Sequence, residues 1–487
     1  NHYKQKAVDL NLKWFIDLLE QNKIKKDRLA KQFEDLIHLN LFVQTLNSSA
    51  VLNTFDANVY EALIDQYKKT YQEFTELTKN QLQFQLSNNI PNLTQEAISS
   101  SEIGILQKAI RNKARGVSIR KLFDQIPTLL PRLKPCMLMS PISVAQYFDV
   151  DTNHFDLVIF DEASQLPTSE AISALARAKQ AIIVGDPKQM PPTSFFASTK
   201  IDEENMVLED LESILDDTLA ISIPSKYLLR HYRSKHESLI AFSNANFYEN
   251  KLLTFPSADD LDKKVTFEYI AGHYDKGNTR TNKQEAEAIV LYIKNHLQSG
   301  KKESVGVVTF SQTQQVLIED LLQKLYQENP SLEEKALQAE EPIFIKNLEN
   351  VQGDERDIIL FSIGYGADKD GNLSMNFGPL NREGGWRRLN VAVTRARYEM
   401  KVFSSLKADQ IDLNRTQAEG VKGLKGFLNF AEKGLLPTNF NAANNIQKQN
   451  LVESISKYLN ENGLEVKTNI GTSAYRLDIG IVDPENK

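Results

Sequence analysis

The sequence predicts an α/β protein with parallel sheets. From about Leu133 onward, short apolar runs alternate with helical stretches. Such runs suit strands that are buried on both faces of a parallel sheet, and their alternation with helices favours layered α/β structure. We assign the runs before about residue 200 to one sheet and those after about residue 265 to a second. The runs are Cys136–Met139, Phe155–Phe160, Ala181–Val184, Val305–Phe310, Asp357–Ile363 and Met400–Phe403.

The sequence before the first predicted strand indicates helices and no strands. Residues 1 to about 125 are rich in Leu, Lys, Gln, Glu and Asn. Within them, Leu10–Glu20 and Asp56–Leu77 carry apolar residues at three- and four-residue spacing, which is typical of amphipathic helices. Because this region holds no catalytic motif, we interpret residues 1–130 as a helical insertion or stalk.

The end of the chain predicts a small separate unit. Around Asn439–Asn450 the chain is rich in Asn, Gln and Ala, which is typical of a linker. A helix from about 447 to 461 and strands near 464–469 and 475–482 are predicted to follow it.

Composition narrows the class of protein. The chain has 487 residues, of which 41% are apolar and 25% charged, as in soluble globular proteins. The single cysteine, Cys136, excludes an internal disulfide framework and a cysteine zinc cluster, and it fits a reducing cytoplasm. The sequence holds no apolar run close to the roughly 20 residues that span a bilayer. The net charge of −7 leaves nucleic-acid binding open, because a binding groove needs only a local basic patch.

The sharpest chemical signal is a pair of adjacent carboxylates, Asp161 and Glu162, directly after the apolar run Phe155–Phe160. Ligand crevices of α/β sheets open at the carboxyl ends of the strands. Nucleotide hydrolysis needs a carboxylate that holds Mg²⁺ and a base that orients the attacking water. Asp161 suits the first role and Glu162 the second, and two acids at a solvated strand end are the plain alternative.

A second string follows the next apolar run, and it reads Gly185-Asp-Pro-Lys-Gln-Met-Pro-Pro192. Glycine and proline favour a tight loop at the end of a strand. In such a loop, Gln189 is expected to reach both a γ-phosphate and the attacking water.

These two strings resemble motifs II and III of superfamily 1 helicases, and most of all the 1B branch, which includes the nonsense-mediated-decay helicases. Leu229–Ser234 resembles the family's Tyr-Arg motif. The resemblance implies that Tyr232 stacks on adenine and that Arg233 reaches the γ-phosphate. Arg388–Arg397 resembles motif VI, which implies that Arg395 is a second arginine finger.

Motif V is resembled by Asn350–Asp357, which places Gly353 and Glu355 near the ribose and the phosphates. Asn347 lies just before this string, at a position of nucleic-acid contact where relatives often have Ser or Thr.

The resemblance implies a domain order. It comprises the helical insertion, two RecA-like parallel-sheet domains at 131–222 and 223–437, a linker at 438–450 and a last domain at 451–487. The first RecA-like domain is incomplete, since the sequence contains no Gly-x-x-x-x-Gly-Lys-Ser/Thr loop, the Walker A loop that cradles phosphates. We expect that loop upstream of Asn1, and we expect residues 1–487 by themselves to bind ATP poorly and to hydrolyse it negligibly.

Nucleic-acid contacts are expected at strand ends, where hydroxyls and backbone amides commonly bind phosphates. For each candidate, an ordinary turn residue is an equally good interpretation. A basic cluster from Arg111 to Lys121 is a further candidate, although a solvated helix face is favoured there. The strand-end candidates are Ser140, Pro192, Thr193, Thr309 and Ser311.

The last domain resembles the start of a PD-(D/E)xK nuclease, similar to the very-short-patch-repair (Vsr) endonucleases. The string Tyr475–Pro484 places Asp478 in mid-strand among apolar residues, where burial of a carboxylate is costly unless a metal binds it. The resemblance thus implies that Asp478 is a metal ligand. The chain ends before the strand that would complete such a site, so we expect residues 1–487 to lack nuclease activity.

Three functions follow from these resemblances. The leading one is an ATP- and Mg²⁺-dependent translocase or helicase on single-stranded or duplex DNA, fused in the intact protein to a Vsr-like endonuclease. The whole protein would then resemble large bacterial helicase–nuclease fusions, some of which are linked to phage defence. The alternatives are an RNA helicase of the 1B branch and a nucleic-acid-binding scaffold whose ATPase has decayed.

Overall fold

The computed structural model describes residues 2–21, 23, 29–92, 98–113, 115–150, 155–192, 212–257, 263–434, 446–471, 473 and 475–485. The chain divides into two compact units, residues 1–138 and residues 139–487. Most of the predicted linker, residues 438–445, lies outside the described residues. Within the described ranges, the search for helices long and apolar enough to cross a bilayer finds none.

The first unit is helical in its described part, as predicted. Its predicted helix at Leu10–Glu20 starts only at Lys13, because Asn11 has a left-handed φ of 57° that interrupts a right-handed helix. The helix predicted from Asp56 continues to Asn88. The helices are α1 (His2–Asp9), α2 (Lys13–Glu20), α3 (Leu29–Ser48), α4 (Ala50–Thr54), α5 (Ala57–Asn88), α6 (Glu102–Arg111), α7 (Ile119–Gln125) and α8 (Leu129–Leu133).

The second unit alternates helices and strands. Its helices are α9 (Pro141–Tyr147), α10 (Thr168–Leu175), α11 (Ile214–Ala220), α12 (Ser238–Phe247), α13 (Lys283–Ser299), α14 (Gln312–Glu328), α15 (Pro330–Leu337), α16 (Gly385–Val393), α17 (Glu419–Lys433) and α18 (Ile446–Glu461). Its strands are β1 (Phe155–Phe160), β2 (Ala178–Ile183), β3 (Val265–Tyr269), β4 (Val305–Thr309), β5 (Phe344–Asn347), β6 (Arg356–Ser362), β7 (Ala396–Ser404), β8 (Val466–Ile470) and β9 (Leu477–Ile481).

The larger sheet confirms the predicted parallel α/β architecture. Its five strands run in the order β3-β7-β6-β4-β5, and every neighbouring pair is parallel. Alternate residues of β6 point to opposite faces, as the strand geometry requires. Ile358 and Leu360 pack with helices α13 and α14, whereas Ile359 and Phe361 pack with α12, α16 and α17. Both faces of this sheet are therefore covered, as its apolar strands predict.

The smaller sheet differs from its prediction. Strands β1 and β2 pair in parallel, but Leu157, Ile159 and Ile182 are 40%, 60% and 48% exposed. The predicted burial on both faces is therefore wrong for these strands within the described residues.

The run Cys136–Met139 forms no strand, which corrects that prediction. The run pairs with no strand in the described part of the chain, and Leu138 is 97% exposed. An apolar run becomes a strand only when its backbone N–H and C=O groups find a ladder partner. The apolar pattern alone could not reveal that missing partner.

The end of the second unit is a helix followed by two strands, as predicted, and these strands pair as an antiparallel hairpin. Helix α18 is followed by β8 and β9, whose register pairs Val466 with Ile481. The loop between the strands contacts the body of the unit, because buried Ser473 accepts from the Thr254 N–H at 3.2 Å and donates to its carbonyl at 3.1 Å.

Candidate active site

The two predicted chemical strings lie side by side at the carboxyl ends of β1 and β2. The ladder continues past both strands, since Val184 N donates to Phe160 O at 2.8 Å and Ala163 N donates to Val184 O at 2.9 Å. A Cβ atom at Gly185 would lie 2.9 Å from the backbone N of Ser164. Glycine at this position therefore allows the two loops to approach each other closely.

Glu162 has an unusual backbone conformation. Its φ is 51°, in the left-handed region that a residue with a Cβ rarely adopts, and its N–H donates to Asp161 Oδ1 at 3.0 Å. Strain of this kind costs on the order of 1–3 kcal/mol and is concentrated at functional sites. Both carboxylates are exposed.

Gln352 links Glu162 to the second loop. Its Nε2 donates to Glu162 Oε2 at 2.9 Å, and its Oε1 accepts from Met190 N at 3.3 Å. Gln352 lies within the motif V string, in which only Gly353 and Glu355 were predicted to lie near the nucleotide.

The two predicted arginine fingers, Arg233 and Arg395, interact electrostatically. Arg233 pairs with Glu355, with a distance of 2.6 Å from Nε to Oε2. Arg395 is 1% exposed, and its Nε donates to Val391 O at 2.7 Å. Burial and the neighbouring Arg233 lower the pKa of Arg395 to about 10. An anion bound beside both guanidinium groups would offset their mutual repulsion.

His231 stands beside the same arginines. Its Nε2 accepts from Ser234 N at 3.1 Å, which requires an unprotonated nitrogen. Burial, followed by the charges of Arg233 and Arg395, lowers the pKa of His231 to about 4. The imidazole is therefore neutral near pH 7.

We expect this histidine to make the protein less stable in acid. The unfolded chain takes up a proton at His231 below its ordinary pKa of about 6.5, whereas the folded chain does so only near the depressed value. The stability is thus fully present above pH 6.5 and is lost as the pH falls toward 4. In urea denaturation, His231→Gln should reduce the loss between pH 7.5 and pH 5 by about 2 kcal/mol. Parallel pH profiles for the variant and the parent would contradict this expectation.

The other residues predicted to contact the nucleotide are Tyr232, Gly353 and Glu355. Tyr232 is 77% exposed. Gly353 has a φ of 89°, and a Cβ there would meet nothing within 4 Å, so the backbone conformation is what favours glycine. Glu355 pairs with Arg397 at 3.5 Å as well as with Arg233.

The predicted nucleic-acid residues have mixed outcomes. Ser140 is exposed and caps α9 by accepting from Ser143 N at 3.3 Å. Ser311 is partly exposed and caps α14. Thr309 is fully buried and donates its hydroxyl to Ser311 O at 2.9 Å, so the prediction that this side chain contacts a phosphate is corrected.

Pro192 and Thr193 were also predicted to contact nucleic acid. Pro192 is buried, which leaves little of its surface for a strand, and Thr193 lies outside the described residues. The basic cluster does not form one helix face, because Arg111 ends α6 whereas Arg120 lies in α7.

The exposure of Asp478 contradicts the prediction that its carboxylate is buried and needs a metal. The residue lies in β9, but its side chain is exposed, so there is no burial cost for a metal to offset. Among the described residues, a search for groups of three or more His, Cys, Asp or Glu able to hold a metal finds none. Neither Asp478 nor Asp161 therefore belongs to a preformed metal cluster of that size.

Several contacts between the loop after β2 and helices α12 and α16 were not foreseen. Tyr248 donates to Asp186 at 2.7 Å, Asn390 Nδ2 donates to Lys188 O at 2.9 Å, and Arg387 Nε donates to Pro187 O at 3.2 Å. Asn390 and Arg387 lie in or next to the motif VI string, which was a usable signal. Tyr248 belongs to none of the strings, and nothing in the sequence pointed to it.

Comparison with known families finds two matching models, and both are described as an AAA domain. One matches residues 139–196 and the other residues 211–407. The matched ranges contain both loops of the smaller sheet and the whole of the five-stranded sheet.

The similar curated proteins are helicases. An uncharacterized ATP-dependent helicase of Mycoplasma genitalium, MG140, is 35% identical over 326 residues, which are 62% of this chain and 28% of that protein. The DNA polymerase alpha-associated DNA helicase A of Saccharomyces cerevisiae is 24% identical over 80% of this chain and 58% of its own length. ATP-dependent helicase upf1 of Schizosaccharomyces pombe is 27% identical over 52% of this chain and 27% of its own length. The chain thus spans only a minor part of the first of these relatives.

Proposed function

We propose, since this chain belongs to superfamily 1 of the nucleic-acid helicases in its Upf1-like branch, that the whole protein is an ATP-dependent translocase or helicase acting on DNA. The observation that carries the proposal is the convergence of charge from two sheets. Glu162 follows a strand of the smaller sheet and Arg395 precedes a strand of the larger one, and Gln352, just before β6 of the larger sheet, donates to Glu162 Oε2 at 2.9 Å.

The residues fit a magnesium-bound nucleoside triphosphate. The neighbouring cations Arg233 and Arg395 support binding of a polyanion, and the exposed carboxylates Asp161 and Glu162 support binding of a metal and a water. ATP with Mg²⁺ supplies a γ-phosphoryl group whose transfer gathers negative charge on its oxygens.

Each side chain has one role in this proposal. Asp161 holds the metal, Glu162 accepts a proton from the attacking water, and Gln189 orients that water. Arg233 and Arg395 stabilise the developing charge, where a cation can be worth roughly 10³–10⁵ in rate. Tyr232 stacks on the base, and Gly353 and Glu355 lie near the sugar and phosphates.

The division of these groups between two sheets suits a motor. When the cations lie on a different domain from the water-activating base, hydrolysis alters the attraction between the domains. The nucleic-acid strand would run across both sheets and contact the exposed Ser140 and the partly exposed Ser311, and Thr193 stays a predicted contact.

DNA is the proposed substrate, and the test compares it with RNA. The yeast relative is named as a DNA helicase, which supports DNA only by similarity. We expect single-stranded DNA to stimulate ATP hydrolysis by the full-length protein more than RNA of the same sequence does. Stimulation by RNA alone would favour the alternative of an RNA helicase, and no hydrolysis with either strand would favour a scaffold with a decayed ATPase.

A nuclease in the whole protein, with a role in phage defence, is a second proposal. The nuclease part of this proposal is supported by the order of α18, β8 and β9, which matches the helix and two strands expected of such a domain.

In the full-length protein, Asp478→Ala should abolish Mg²⁺-dependent DNA cleavage and leave the ATPase intact, because metal-assisted phosphodiester hydrolysis needs its carboxylate ligands. Cleavage is measured on plasmid DNA, and Asp483→Ala, just beyond β9, is the matched control. Normal cleavage by the Asp478 variant would end the nuclease assignment of this segment.

A further inference from the structure

A hydrogen-bonded chain of side chains connects the loop after β2 to helix α12. Gln189 Nε2 donates to Asp186 Oδ2 at 3.1 Å, so Asp186 fixes the amide of the proposed water-orienting residue. The same Oδ2 accepts from the Tyr248 hydroxyl at 2.7 Å. Tyr248 directly follows α12, 62 residues along the chain from Asp186.

The chain continues from Tyr248 to the helix that precedes Arg395. Asn390 of α16 donates from Nδ2 to the Tyr248 hydroxyl at 3.0 Å and to Lys188 O at 2.9 Å. Since a backbone carbonyl only accepts, these contacts fix which side of the Asn390 amide is the NH₂ group. The Thr394 hydroxyl shares its hydrogen between Asn390 O at 3.0 Å and Val391 O at 2.9 Å, and Arg395 Nη2 donates to that hydroxyl at 3.0 Å.

We propose that Tyr248 is a positioning residue. Its hydroxyl joins Asp186, which holds Gln189, to Asn390, which lies in the helix that precedes Arg395, and the two halves of the site are assembled together only when this link is made. This inference rests on the proposed ATPase function. It adds a residue outside every recognised motif to that site.

The hydroxyl of Tyr248 is the essential group, because it performs two tasks. It donates to a carboxylate and accepts from an amide, which a phenyl ring cannot do. Burial and the adjacent Asp186 raise the pKa of Tyr248 well above its ordinary value, so the hydroxyl keeps its proton and remains a donor. Hydrogen bonds to charged partners in a buried setting are among the stronger ones.

The test is Tyr248→Phe in the full-length protein, which removes one oxygen atom and keeps the ring. We expect kcat for ATP hydrolysis to fall about 10-fold while KM for ATP stays within about twofold, because loss of this alignment affects the transition state more than binding. Tyr292→Phe is the matched control. Its ring is also partly buried, but it packs on Phe403 in the larger sheet's other layer, and kcat should not change.

Each other outcome has a defined meaning. A kcat within twofold of the parent would overturn the proposal, and so would a fall in kcat accompanied by an equal rise in KM or a large drop in Tm, since those effects indicate a structural role. If the parent protein itself shows no DNA-stimulated hydrolysis, the proposed function fails first and this inference fails with it.

A double-mutant cycle with Asp186→Asn tests the connection itself. Asp186→Asn should lower kcat in the parent but should have a clearly smaller effect in the Tyr248→Phe background, because the shared hydrogen bond is already lost. Effects that multiply independently would show that the two residues do not act through each other, and they would overturn the proposed coupling.

Discussion

Arg395→Ala in the full-length protein is expected to lower kcat for ATP hydrolysis by about 10³-fold, with a much smaller effect on nucleotide affinity. The reason is that the guanidinium charge matters most when negative charge gathers on the γ-phosphate oxygens. Arg233→Ala should act in the same direction. Steady-state kinetics give kcat, and equilibrium binding of a fluorescent nucleotide gives the affinity.

The controls must separate chemistry from folding. Arg395 is buried and donates to Val391 O and to the Thr394 hydroxyl, so its removal leaves buried acceptors without that donor. Arg233 has a side chain that is 24% exposed, which makes its alanine variant safer for the fold. Arg415→Ala, which removes a donor to Leu373 O instead, is the matched surface control. If both finger variants showed only a raised KM, the finger roles would be wrong.

Glu162→Gln is expected to keep nucleotide binding and to lower kcat by at least roughly 10²-fold. The amide retains the shape of the side chain, and its oxygen can still accept from Gln352, whose Nε2 lies 2.9 Å from Glu162 Oε2. It cannot accept a proton from water at neutral pH, so the loss falls on the chemical step.

Glu170→Gln is the matched control for this substitution. Glu170 is an exposed acid in the first turn of α10, shortly after the same strand, and its replacement should leave kcat unchanged. Near-normal turnover by Glu162→Gln would refute the assignment of Glu162 as the base.

The sequence by itself determined the α/β class and predicted a candidate site at the strand ends. The apolar runs that became β4 and β6 predicted buried parallel strands, because only apolar side chains tolerate burial on both faces of a sheet. Carboxylates placed directly after β1 predicted a site at a strand end, since parallel strands deliver their carboxyl ends to one edge. The roles given to Glu162, Arg233 and Arg395 remain predictions.

Only the tertiary structure decided which side chains meet and which are accessible. Gln352 and Glu162 are 190 residues apart in sequence, and Tyr248 and Asp186 are 62 apart, yet each pair is hydrogen-bonded. Local residue patterns report periodicity along one element, whereas contacts of this kind depend on how distant elements pack. The same reason explains the buried hydroxyl of Thr309, which a strand-end pattern alone presented as accessible.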